Sequence, residues 1–163
     1  MKSLLSVGTT SRSPRRVIEQ LPIFIKYFNG ADWSNDETKK DFFIRLIQHR
    51  LYDPTKGSSN PMSTEMMSLF QSSQELTYET ANEMALNAGY QDLHQRGRTA
   101  IDTAVKLGFL TRKNNIIKAS VLGEELLNDN KNLSLTFLKS LLKWQLPNPK
   151  QISHYKHENG FNV

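Results

Sequence analysis

The chain has 163 residues, 37% of them hydrophobic, with a formal net charge of +5 and no cysteine. That length suits one domain or two small subdomains around a moderate core. The lack of cysteine excludes disulfides, thiolate metal ligands and Cys nucleophiles and fits a cytoplasmic setting. No apolar run approaches the roughly 18 residues of a membrane span, and the patch after Lys2 is too weak for a secretory signal.

In chain order, "TSRSPRR" (10–16) opens a helix, with Ser13 as cap and Pro14 in the first turn. Val17, Leu21, Phe24 and Phe28 keep helical spacing, and Pro22 is expected to kink or split this helix. "NGADWSNDE" (29–37) reads as a loop ending in the N-cap Asn35. Phe43, Leu46, Ile47 and Leu51 mark a helix over about 36–51. "DPTKGSSNPMS" (53–63) is the clearest break. A short helix over 63–71 follows, with Met62, Met66 and Met67 as packing residues. Thr77 caps a helix over 77–89, whose apolar face is Tyr78, Ala81, Ala85 and Ala88 and whose stop is Gly89. Another helix is expected over about 98–107, stopped by Gly108. Residues 109–111 and 116–118 pair across a turn near Lys113–Asn115, where asparagine tolerates a left-handed backbone. Ser120 caps a helix to about 128. Leu133 and Leu138 staple a last helix, capped by Ser134 and ending before Pro147, and 147–163 reads as loop.

Charge is unevenly spread along this order. Between Gly57 and Gln95 there is no Lys or Arg, while Glu65, Glu75, Glu79, Glu83 and Asp92 contribute five negative charges. From His94 to Lys118, six cations (Arg96, Arg98, Lys106, Arg112, Lys113, Lys118) stand against Asp102 alone, a net of +5. Such asymmetry suggests a surface that faces a polyanion.

Helix, tight connection, helix, ribbon, helix is the order of a winged helix-turn-helix. The second helix of that unit enters the major groove and the ribbon touches backbone or minor groove. Over 98–107, Ala100, Ile101, Ala104, Val105 and Leu107 are apolar. Arg98, Asp102 and Lys106 repeat every four residues, flanked by Thr99 and Thr103. Arginine bonds guanine bidentately, aspartate accepts from cytosine and threonine meets a thymine methyl or a phosphate. The expected fold is therefore mostly α (α+β), a winged helix-turn-helix with additional N-terminal and C-terminal helices and a small β-hairpin wing. Residues 1–56 form an N-terminal helical part, 57–129 the winged-helix core and 130–163 a C-terminal helix and tail. The DNA-facing set is Arg12, Arg15, Arg16, Arg96, Arg98, Thr99, Asp102, Thr103, Lys106, Arg112, Lys113, Asn114 and Asn115. Arg12, Arg15 and Arg16 belong to it because a basic cluster at a helix N-terminus favours an anion.

The residues offer little chemistry. Asp36-Glu37-Thr38-Lys39 contains the carboxylate-x-Lys piece of metal-dependent nucleases, but at a helix start rather than on converging strands. His154 and His157 lack the cysteines or carboxylates that would complete a metal site. Neither a glycine-rich phosphate loop nor a nucleophile elbow is present. No catalytic residue, no metal ligand and no cofactor are expected in this chain.

"SRSPRRVIEQLPIF", "RTAIDTAVKLGFL", "VLGEELLNDNKNLSLTFLKSLLKWQLPNP" and the closing "GFNV" resemble, in matching order, the N-terminal region of AlwI-type (MlyI/PleI-like) Type IIS restriction and nicking endonucleases. Lys143-Trp144-Gln145-Leu146-Pro147 is the most specific part of the likeness, and about 53–90 departs from the family pattern. The resemblance implies a specificity subdomain that reads a short asymmetric site on double-stranded DNA, with Arg12, Pro14 and Arg98 at matching positions. It also implies a partner, a downstream nuclease domain or subunit that uses Mg²⁺ and is absent from this chain. The other readings are a free-standing winged-helix regulator and a winged-helix module that binds protein.

Overall fold

The structure, a computed structural model, describes residues 14–55, 60, 62–127 and 132–142. Among them the chain is mostly helical with one small antiparallel sheet. The order is α1 (Pro14–Phe28), β1 (Ala31–Asp32), α2 (Asp36–Gln48), α3 (Thr64–Gln71), α4 (Tyr78–Asn87), α5 (Leu93–Lys106), β2 (Leu110–Lys113), β3 (Ile116–Ala119), α6 (Val121–Leu126) and α7 (Leu133–Leu142).

Helix α2 carries the packing, because apolar side chains surround more than half of it. Phe42 and Leu46 enter one core with Val17, Leu21, Phe24 and Phe28 of α1, Trp33, Ile101 and Ala104 of α5, and Leu110 and Ile117 of the sheet. Phe24 and Phe28 each meet Trp33 and Phe42 edge-on, with centroids 5.5–6.4 Å apart. That geometry suits aromatic quadrupoles. Phe43, Ile44 and Ile47 enter a second core with Ala81, Met84, Ala85 and Ala88 of α4, plus Leu76, Tyr90 and Leu93. Two clusters, one on each side of α2, make this helix the shared wall.

The most extensive helix pair is α2 with α5, and one residue permits it. A Cβ on Gly97 would stand 1.9 Å from the Lys39 carbonyl oxygen. Only a residue without a side chain lets the two backbones approach so closely. Leu93, Gly97, Ile101 and Ala104 line the buried stripe of α5 at helical spacing. The helix therefore begins at Leu93 and runs through Gly97, five residues before the expected start. The helices at 77–89 and 98–107 were expected to form the helix-turn-helix pair. Instead α4 packs on α2, and α2 takes the place against α5.

The sheet order is β1-β3-β2, all antiparallel. The two residues of β1 pair with Ile116 and Ile117, so the segment between α1 and α2, expected to be loop only, contributes a strand. Local signals match the structure at most ends. Asn35, Ser63, Thr77 and Ser120 each accept a backbone N–H of their own helix. Gly89 and Gly108 have φ of 71° and 76°. Helix α1 passes Pro22 without a break, since Leu21 and Phe24 are fully buried beside it while Pro22 faces solvent. Water is then available to the carbonyl that the proline ring leaves without a donor. Asn132, not Ser134, caps α7 through the Leu135 N–H at 3.2 Å, and Leu138 is half exposed instead of serving as a staple. Ser13, Arg12 and 143–163 lie outside the described residues.

Gly97→Ala must push α5 off α2 and is expected to cost about 2 kcal/mol or more. Gly108→Ala meets no atom within 4 Å and carries only the strain of its left-handed backbone, about 1 kcal/mol. Urea denaturation of both variants checks the order of the two losses.

Candidate nucleic-acid interface

The outer face of α5 is narrower than its sequence spacing suggests. Arg98 is exposed, with His94, Gln95 and Asp102 partly so. Thr103, expected on this face, is 3% exposed: it lies about 240° around the helix from Gly97 on a 100° step, on a flank turned into the protein. Lys106 is also withdrawn. Its side chain is 9% exposed and its ammonium sits 3.2 Å from the Asp102 carboxylate. Burial lowers the Lys106 pKa below the usual lysine range. The Thr99 hydroxyl donates to the Gln95 carbonyl at 2.6 Å, folding back on its own helix. Arg96 is pinned, with its guanidinium 3.8 Å from the Tyr90 ring centroid and donating to the Tyr52 hydroxyl at 2.7 Å. Burial first, and the Tyr52 hydroxyl next, push Tyr90 up to about 12, so the ring under Arg96 is a neutral phenol.

The hairpin is tight. Lys113 pairs with Ile116, leaving Asn114 and Asn115 as a two-residue turn with φ of 50° and 64°. Positive φ at both central positions matches the twist of the flanking strands. Asn115 also accepts from Arg112 at 2.7 Å through its side chain, and from the Trp33 N–H at 2.8 Å through its carbonyl. Successive residues of a strand face opposite ways. Arg112 therefore shares a side with the buried Leu110 and Ile117, while Lys113 shares the outer side with Thr111 and Lys118. Lys113 and Lys118 share one face of the ribbon, and Arg112, also exposed, stands on the other. The expectation paired Lys113 with Arg112 and left out Lys118, whose role follows from strand register.

Acids stand beside two of these cations. Asp32 accepts from both the N–H and the hydroxyl of Ser34, which lower its pKa, and Lys39 and Arg112 add to this. Asp36 is held low first by its bond to Lys39, with His94 and Arg98 contributing. The field of Asp36 thus reaches Arg98, and that of Asp32 reaches Arg112. The Asp36–Lys39 motif is part of a helix start: Lys39 Nζ bonds Asp36 at 2.6 Å and the Ser34 carbonyl at 3.3 Å, and Lys40 pairs with Glu37 at 3.2 Å. Among the described residues no group of three or more His, Asp or Glu is placed to hold a metal. At the start of α1, Arg15 pairs with Glu19 at 2.7 Å, Arg16 turns toward α5, and Arg12 falls outside the described residues.

The structure therefore leaves Arg98 on α5 and Arg112, Lys113, Asn114, Asn115 and Lys118 on the hairpin exposed. It withdraws Thr103 and Lys106 and commits Arg96 and Asp102 to contacts within the protein. Comparison with protein-family models, curated proteins and solved structures gives no match to this chain.

Asp102→Asn strips the buried Lys106 ammonium of its counter-charge and is expected to cost about 1 kcal/mol, whereas Lys106→Met, of similar length and apolar, stays within about 0.5 kcal/mol of the parent or above it. Equal losses in chemical denaturation would mean that the pair itself stabilises the fold.

Proposed function

We propose that this chain is a duplex-DNA recognition module built as a winged helix, with α5 as the groove-reading helix and the β2–β3 hairpin as the wing. The observation that carries this reading is topological. Helix, strand, helix, then a further helix and a hairpin, with sheet order β1-β3-β2 and α2 packed on α5, is an order that supports a winged-helix reading. The segment α3–α4 is then an insertion between the second helix and the reading helix. Its acidic, Lys- and Arg-free composition suits a face turned away from a polyanion.

Arg98 is the base-reading group on this reading, and Lys113 and Lys118 are backbone contacts. Asp36 and Asp32 beside the two arginines weaken general attraction to phosphate, so discrimination falls on direct contacts. The likeness to AlwI-type endonucleases supports a specificity subdomain of a Type IIS restriction or nicking enzyme. Cleavage would then belong to a separate Mg²⁺-dependent domain.

Fluorescence anisotropy on a site-selected and a scrambled duplex, over a salt series, tests this. Arg98→Ala is expected to cost about 1–3 kcal/mol on the selected duplex and less on the scrambled one. Joint replacement of Lys113 and Lys118 by Ala should weaken both duplexes alike and reduce the slope of log K against log salt by up to about two units. Asp36→Asn should raise affinity for the scrambled duplex. A chain that binds no duplex at about 50 mM salt is not a DNA reader.

A further inference from the structure

Helix α3 is half apolar, with Met66, Met67, Leu69 and Phe70 among its eight residues, yet none of them is buried. On α4, Ala81, Met84 and Ala85 are fully buried, while Leu86 is 58% exposed. On a 100° step, Glu79, Glu83 and Leu86 fall within about 60° of one another, opposite those three buried residues. Asn87 Nδ2 stands 3.4 Å from Met66 Sδ, so α3 lies along this edge of α4. Met67, next in sequence, is 38% exposed. Packing within the described residues thus leaves apolar side chains of two neighbouring helices uncovered. Methionine is flexible and polarisable, and it adapts to an incoming apolar surface.

The charges around this patch define what covers it. Glu65, Glu79 and Glu83 are exposed and make no ion pair among the described residues. No Lys or Arg stands between Gly57 and Gln95 to offset them. Such a surface repels a nucleic acid and offers three carboxylates to the lysines and arginines of a protein. Both elements are helices and present no unpaired strand edge, so recognition runs through side chains rather than through an added strand. We propose that α3 and the outer stripe of α4 dock a basic amphipathic helix of another protein. The apolar face of that helix covers Met67 and Leu86, and its cations meet Glu65, Glu79 and Glu83. The site lies on elements other than α5 and the hairpin, and its occupancy does not rest on DNA recognition.

The test is calorimetric titration of the full chain with two synthetic helical peptides of about 18 residues, or five turns. One carries leucines along one face and lysines on the other; its control has glutamate in place of every lysine. The lysine peptide is expected to bind and the glutamate peptide to stay unbound. Joint replacement of Met67 and Leu86 by Gln should weaken the lysine peptide about tenfold with no fall in Tm, because both side chains are exposed. Joint Glu79→Gln and Glu83→Gln should remove most of the gain in affinity at low salt. Equal binding of both peptides, or a lysine peptide held as tightly by both double variants, overturns the inference. So does a dimer in sedimentation velocity that the Met67 and Leu86 replacements abolish, since the patch then belongs to a second copy of this chain.

Discussion

The contact of Gly97 with the backbone of Lys39 is the constraint on which the rest of the structure depends. It sets α5 against α2 at a distance no side chain would permit. Through it, α2 divides two apolar clusters, and the face of α5 that remains outside is decided by which face touches α2. Arg98 is exposed because it lies about 100° around the helix from Gly97. Thr103 is buried because it lies on the other flank. The contact also sits at the end of α2 where Asp36 and Lys39 meet, so the position of Arg98 near Asp36 is a consequence of the same packing.

The hairpin depends on a second, smaller set of contacts. Its two asparagines close the turn locally, but the tip is held to the body by the Trp33 N–H and by β1. Trp33 is itself 1% exposed within the aromatic cluster of α1 and α2. The ribbon and α5 are thus both anchored to α2, one through aromatic packing and one through the glycine contact. A surface formed by both elements has a common rigid support, the condition for holding charged groups in fixed relation to a ligand. Arg96 is held in a different manner, by the Tyr90 ring and the Tyr52 hydroxyl.

What was legible in the sequence was local. Caps at Asn35, Ser63, Thr77 and Ser120, stops at Gly89 and Gly108, and the Asn114-Asn115 turn each follow from the backbone preferences of a few neighbouring residues. The mostly helical class with a small hairpin followed from the same signals. Partner choice was not legible. Gly97 reads as punctuation in "HQRGRT", because glycine breaks helices more often than it joins them; only Lys39, far away in sequence, shows that it is an approach point. The four-residue spacing of Arg98, Asp102 and Lys106 was visible, yet it does not say that Asp102 and Lys106 would satisfy each other. Lys118 was missed because adjacency in sequence favoured Arg112 with Lys113, whereas the pleat places them on opposite faces. The two-residue strand β1 is too short for any periodicity to announce.

Amide chemical-shift mapping of the ¹⁵N-labelled chain during titration with a site-selected duplex is the most direct measurement of whether α5 and the hairpin form one DNA-binding surface. Shifts concentrated at His94–Arg98 and Lys113–Lys118, with α3 and α4 silent, are the predicted result. Shifts centred on α3 and α4, or on the exposed leucines of α7 with α5 unchanged, would contradict it.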